Sequence, residues 1–222
     1  MNTKTFRGAI VAVVAAVALA AAACDSGPTG TQYGRVSLFL TDAPGDVEMA
    51  VVTIDQIYLQ GSGDSTDSTG GGRIVLSDED ITVDLLTLRD SLLGLFDSAA
   101  VPVGSYGQLR LKITGGYIQV AGADSGTSEI YASSPDYAGL PEGAVVTGEL
   151  VMPSYAQSGL KVNVPGAIIA IGAGDLVVLA VDFDVAQSFG KLAGSGKWVM
   201  HPVINATELA PADTNAALIP TP

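Results

Sequence analysis

The sequence DLVVLAVDFDVAQSF, residues Asp175–Phe189, decides the predicted fold. In a β-strand, alternate side chains point to opposite faces of the sheet. One face of this stretch would carry only apolar side chains, namely Val177, Leu179, Val181, Phe183 and Val185. The other face begins apolar and ends with Asp182 and Asp184. A strand that is apolar on both faces for half its length is typical of a central strand in a covered sheet.

The chain around this stretch has the composition of a β-rich domain. Apolar residues make up 48% of it and charged residues only 15%, and short Val, Ile and Leu runs are separated by many of its 27 glycines. Such spacing indicates many short strands. We therefore predict an all-β domain over residues 34–209, folded as an antiparallel two-sheet β-sandwich. Gly115-Gly116 is predicted to turn a hairpin. One short helix is predicted at Thr87–Phe96, where leucines recur at helical spacing.

The N-terminus has the pattern of an export signal. Lys4 and Arg7 precede an uncharged Ala/Val-rich run, and three alanines stand before Cys24, the one cysteine in the chain. This pattern resembles a bacterial lipoprotein signal, cut before a cysteine that then carries lipid. We predict a signal peptide over residues 1–23, a flexible tether over 24–33 and a disordered tail over 210–222. An ordinary secretory signal, with Cys24 left as a free thiol, is the alternative.

Charge and residue counts narrow the classes of partner. The formal net charge is −13, and only Lys4 and Arg7 are charged before Cys24, so the chain from Cys24 onward carries two positive charges fewer, −15. Such a field repels nucleic acid and anionic lipid headgroups, so no nucleic-acid partner is predicted. One cysteine cannot form an internal disulfide, and a single histidine cannot build a multi-histidine metal site within the chain.

Four aspartates are the candidate site residues. Asp182 and Asp184 share one strand face, about 7 Å apart along the backbone. Asp42 and Asp84 stand at turn or strand-end positions and could join them to bind calcium, which prefers carboxylate oxygens. Paired carboxylates also serve glycoside hydrolysis, with Asp182 or Asp184 as acid or nucleophile. The third interpretation, which we favour, is that each aspartate caps a turn or accepts backbone amides.

No complete catalytic set is present. His201 is the sole histidine, and no Gly-x-Ser-x-Gly sequence supplies a nucleophile elbow. We therefore assign no catalytic residue and predict that the protein is not an enzyme.

Several short segments together resemble one family. They are LTDAP at Leu40–Pro44, VTID at Val52–Asp55, VDLL at Val83–Leu86, VGSYGQLRL at Val103–Leu111, VDFD at Val181–Asp184 with Ser188, and HPVI at His201–Ile204. Their order and spacing are similar to those of domain-of-unknown-function family 4382, found in exported lipoproteins of bacteria and archaea. The resemblance covers residues 34–208. It implies a β-sandwich, of transthyretin-like or immunoglobulin-like kind, and it implies no activity.

These observations predict a lipid-anchored, extracytoplasmic β-sandwich of the cell envelope. Its partners would be the membrane, through the anchor, and an envelope protein or a surface polymer. No cofactor is predicted apart from the calcium ion considered above. Two alternatives are an envelope glycan hydrolase that uses the paired carboxylates and a purely structural cell-surface component.

Overall fold

A computed structural model describes residues 31–43, 47–61, 72–89, 91–152, 155–164, 166 and 168–209. The predicted signal peptide, the lipidation site Cys24, most of the tether and the predicted tail lie outside these residues. Within the described ranges, no helix combines the length and the apolar character needed to cross a membrane.

The described residues form fourteen strands in two sheets. The strands are β1 (Tyr33–Ala43), β2 (Met49–Gly61), β3 (Arg73–Ser77), β4 (Ile81–Asp84), β5 (Leu93–Pro102), β6 (Gly104–Ala121), β7 (Ser128–Ala132), β8 (Val146–Val151), β9 (Leu160–Val162), β10 (Ile169–Ile171), β11 (Leu176–Asp184), β12 (Phe189–Lys191), β13 (Trp198–Met200) and β14 (Ile204–Leu209). The first sheet has the order β14-β11-β1-β5. The second has the order β12-β13-β8-β7-β6-β2-β3, with β9 and β10 paired to β6 and β4 paired to β2.

The stretch that decided the prediction is an internal strand. β11 lies between β1 and β14, and the side chains of its apolar face are buried: Val177, Leu179, Val181 and Phe183. The strand is shorter than the alternation suggests, because it ends at Asp184 and residues Val185–Ser188 form one helical turn. Asp184 ends the strand by capping that turn, since its Oδ1 accepts a hydrogen bond from the backbone N–H of Gln187 at 2.9 Å.

The prediction of purely antiparallel sheets is wrong. β1 pairs parallel with β11, β7 pairs parallel with β8, and β8 pairs parallel with β13. Side-chain alternation reports which faces are buried and carries no information about the direction of a neighbouring strand. The apolar second face of β11, with Val178 and Ala180 both buried, is the feature that suits a parallel neighbour.

The predicted helix at Thr87–Phe96 is also wrong. A single 3-10 turn spans Leu85–Leu88, and Leu93–Pro102 is strand β5. Asp84 caps the 3-10 turn by accepting a hydrogen bond from the Leu86 N–H at 3.2 Å. The leucine spacing fits a helix locally, but pairing with β1 satisfies the backbone of the segment as a strand. The register between β1 and β5 shifts twice, which breaks strict alternation in the sequence.

Gly115-Gly116 does not form the predicted hairpin, because β6 runs without a turn from Gly104 to Ala121. Both glycines lie opposite β2 and are required by close contacts. A Cβ atom on Gly116 would lie 2.6 Å from the carbonyl oxygen of Val51. A Cβ on Gly115 would lie 2.7 Å from the ring of Tyr137. The pair therefore marks close packing inside a long strand.

We expect Gly116→Ala to destabilise the protein by about 1–3 kcal/mol, because the new methyl group overlaps a backbone oxygen that cannot move without breaking the pairing of β2 and β6. Urea unfolding would measure the change. Gly190→Ala is the matched control, since no atom lies within 4 Å of its Cβ position. Equal stability of the two variants would contradict the steric explanation.

Side chains from both sheets pack into one buried cluster. The first sheet contributes Leu38, Leu40, Val181 and Phe183, and the second contributes Ile54, Leu59, Leu109 and Leu111. Backbone hydrogen bonds of Asn163 also join the two sheets. Its N–H donates to the carbonyl oxygen of Ile204 at 3.1 Å, and its carbonyl accepts from the N–H of Ala206 at 2.7 Å. The parallel ends of β1 and β11 reach the surface of this core together, which positions the candidate site.

Candidate functional site

Three of the four predicted aspartates lie where β1 and β11 end. Because these strands are parallel, their carboxyl ends share one edge of the sheet. In the register, Asp42 lies beside Phe183, and Asp182 lies beside Thr41. Each acid follows a run of buried apolar residues, which places its carboxylate at the boundary of the core.

Asp42 is the most buried of these acids, with 7% of its surface exposed. Its Oδ1 accepts a hydrogen bond from the Val185 N–H at 3.3 Å. Its Oδ2 is buried and has no hydrogen-bond partner among the described residues. The pKa of Asp42 is raised from 3.8 to about 6, mainly by burial. The Val185 hydrogen bond and the charge of Arg89 oppose the rise, and the charges of Asp182 and Asp184 add to it.

Asp182 and Asp184 lie on the outer side of β11 and are half-buried. Burial raises the pKa of Asp182, and the neighbouring charge of Asp184 adds to the rise. Both carboxylate oxygens of Asp184 are used locally: Oδ1 accepts from the Gln187 N–H, and Oδ2 accepts from the Gln187 side-chain amide. Asp184 thus holds the helical turn, as our favoured interpretation of the aspartates predicts.

Asp84 lies in the other sheet, at the end of β4. Its Oδ1 accepts hydrogen bonds from the N–H groups of Ala50 and Leu86, both at 3.2 Å. It therefore joins β2 to the 3-10 turn. Among the described residues, no group of three or more His, Cys, Asp or Glu side chains is arranged to hold a metal ion. The calcium site of Asp42, Asp84, Asp182 and Asp184 stays a prediction.

Two further residues matter at this edge: Arg89, which the sequence analysis did not single out, and Ser188, which belongs to the segments that resemble the family. Arg89 forms an isolated backbone bridge with Asp42, and its charge favours the ionised carboxylate. Ser188 is fully buried, and its Oγ accepts a hydrogen bond from the Val203 N–H at 2.9 Å. The Ser188 carbonyl also accepts from the His201 N–H at 2.7 Å. Arg89 belongs to no recognisable motif, because it acts through contacts between segments distant in sequence.

His201, the remaining residue considered for catalysis, has an exposed side chain. Its local role is a backbone bond to the helical turn. Taken together, the edge holds one buried carboxyl that exchanges a proton near pH 6 and two carboxylates beside it. This arrangement can brace the ends of β1 and β11, bind a proton, or attract a cation.

In a comparison with protein families, the model for a domain of unknown function, DUF4382, matches residues 33–202. No curated protein and no solved structure matches the chain.

Proposed function

Because the chain belongs to DUF4382, a family whose description assigns no activity, we propose its function from its own residues. The protein is a lipid-anchored, extracytoplasmic β-sandwich that acts as a non-enzymatic binding module. The observation that carries this proposal is the position of Cys24. The sole cysteine follows three alanines at the end of an uncharged run with a basic start. A signal of this kind exports a chain and attaches it to a membrane.

Lipid attachment is tested by Cys24→Ser in a bacterial host that processes lipoprotein signals. We expect the wild-type chain to incorporate labelled fatty acid and to sediment with membranes, whereas the variant incorporates none and is released. A matched Ser26→Ala change, two residues after the cysteine, should leave both properties intact. Fatty-acid labelling that survives in Cys24→Ser would refute this attachment site.

The sandwich part of the proposal is supported by the buried cluster that the two sheets share. Leu38 and Phe183 of the first sheet belong to the same cluster as Ile54 and Leu109 of the second. Two sheets that bury one face each against a common core form two layers.

Hydrogen bonds favour a structural role for the aspartates over a catalytic one. Asp42, Asp84 and Asp184 each accept a backbone N–H. A glycan hydrolase would need one carboxyl of a pair free to attack or to donate a proton. If wild type hydrolyses a glycan and Asp184→Asn does not, the hydrolase alternative replaces our proposal. The purely structural alternative predicts that the anchored protein captures no specific envelope partner.

The proposal includes the predicted calcium ion, which would bind the aspartates and stabilise the fold. A ligand that binds only the folded state raises its stability by mass action. The melting temperature should then be higher in calcium than in chelator, and Asp182→Asn should remove the difference. Identical melting in both buffers would remove calcium from the proposal.

A further inference from the structure

The outer face of the second sheet carries a group of basic side chains, which we call the basic face: Arg73 on β3, Arg110 on β6 and Lys161 on β9. In the sheet register, Arg110 lies directly between Tyr58 of β2 and Lys161. Alternate residues of these strands enter the core, so the basic residues point to the opposite side. The group thus crosses four neighbouring strands on one surface.

The basic face is positively charged, whereas the chain as a whole has a net negative charge. Arg110 and Lys161 are direct cross-strand neighbours, and like charges in that position are destabilising. Lys112 lies on the same face, but its Nζ is paired with Oδ2 of Asp55 at 2.6 Å. Asp55 is the only acid in the strand segments that form this surface, Asp55–Gly61, Arg73–Ser77, Gly104–Ile113 and Leu160–Val162. Among the described residues of these segments, three positive charges are therefore left without an acid.

Two of the three charges are held in place. The Arg73 guanidinium lies 3.8 Å from the centre of the Tyr58 ring. The Arg110 guanidinium donates to the side-chain oxygen of Gln108 and, at 2.8 Å, to the carbonyl oxygen of Ser158. Lys161 is exposed. A cationic surface that is fixed before binding loses little conformational freedom when an anion arrives.

The basic face begins at the end of the domain where the proposed tether enters. The carbonyl oxygen of Gln32 accepts a hydrogen bond from the Val103 N–H at 2.9 Å, one residue before β6. Near the start of β6, Tyr106 pairs with Gly61, and the Gly61 N–H donates to Gly72, which directly precedes Arg73. Cys24 is eight residues from Gln32, a reach of at most about 28 Å. A lipid on Cys24 would keep this end of the domain close to the bilayer.

We propose that the basic face docks on anionic lipid headgroups of the membrane that holds the Cys24 anchor, an inference that rests on the proposed anchor. Three basic residues near an anionic bilayer give only weak binding, with a Kd on the order of several millimolar. A free acidic polymer at ordinary concentrations would leave such a face mostly empty. A short tether supplies an effective concentration in the millimolar range, which is enough to occupy it. Because the chain as a whole is negatively charged, approach to the headgroups through the basic face is favoured over other orientations.

The test uses the full chain, produced in a host that lipidates it and reconstituted into vesicles. One set contains phosphatidylcholine alone, and the other adds phosphatidylglycerol. Acylation by an amine-reactive reagent is followed by mass spectrometry at Lys161, with exposed Lys191 as internal reference. We expect phosphatidylglycerol to slow labelling of Lys161 several-fold and to leave Lys191 unchanged, and we expect high salt to restore labelling. Arg73→Glu should abolish the protection, and Arg35→Glu, an equal charge change on β1, should keep it.

Each other result overturns the inference. Equal labelling of Lys161 on both vesicles, in a chain that floats with both, refutes docking and leaves the anchor standing. A chain that floats with neither vesicle refutes the anchor, and the docking inference falls with it. Protection of Lys161 by soluble polyglutamate, without protection by phosphatidylglycerol, assigns the face to an acidic polymer instead.

Discussion

Phe183→Ala should destabilise the protein by about 3–5 kcal/mol, the usual cost of removing a large aromatic side chain from a packed core. Phe183 is 1% exposed and lies on the internal strand β11. Its ring stacks near that of Phe189, with centroids 6.5 Å apart and an interplanar angle of 24°. The truncation would leave a cavity beneath Asp42 and Ile204, its register neighbours, where the backbone is paired on both sides and cannot collapse.

Chemical denaturation with a tryptophan or circular dichroism signal measures this change. Leu176→Ala is the matched control on the same strand, because Leu176 is 44% exposed and its truncation should cost well under half as much. If Phe183→Ala does not fold, Phe183→Leu gives a smaller step on the same scale. Similar losses for Phe183→Ala and Leu176→Ala would mean that β11 does not form the centre of the core.

Asp42→Asn should stabilise the protein relative to wild type more at pH 7.5 than at pH 4. The folded pKa of Asp42 is about 6, above its ordinary value of 3.8, so between these values the folded state binds more protons than the unfolded state. Stability from this carboxyl is therefore greatest at low pH and falls as pH rises from about 4 to 6. By linkage the full difference is at most about 3 kcal/mol, and solvent screening of the carboxyl makes it smaller. Asparagine carries no charge, so the variant does not lose this stability as the pH rises.

The measurement is urea unfolding of both proteins across this pH range, with the difference between them plotted against pH. Taking the difference cancels the contributions of titrating groups that do not interact with Asp42. The contributions of Asp182 and Asp184 do not cancel fully, because their charges act on Asp42. Val185→Ala is the control, because it removes packing beside Asp42 while it keeps the carboxyl and the backbone N–H. It should lower stability at every pH and preserve the wild-type slope. Parallel curves for wild type and Asp42→Asn would show that the carboxyl is not held in a desolvated position.

The candidate site was predictable in parts. Placing Asp182 and Asp184 at the end of a buried strand needed only the alternation of apolar residues. The expectation that the aspartates bond backbone amides came from the general rule that buried carboxylates are hydrogen-bonded. Asp84 accepts hydrogen bonds from β2 and from the 3-10 turn, and its grouping with the other three aspartates stays a prediction. Arg89 and the N–H of Val185 both lower the pKa of Asp42. Their positions next to Asp42 result from strand pairing and could not be predicted from the local sequence.

By itself, the sequence determined that this protein is β-rich, that Leu176–Asp184 is a buried strand, and that the chain belongs to DUF4382. These properties depend on side-chain periodicity and on short sequence segments. Both can be recognised without knowing which strands pair with each other. Only the tertiary structure decided the parallel pairing of β1 with β11, the strand at Leu93–Pro102 and the unbroken β6. It also decided the meeting of Arg73, Arg110 and Lys161 on one face. Strand direction and register are set by hydrogen bonds between distant segments, and a local pattern is compatible with several such partners.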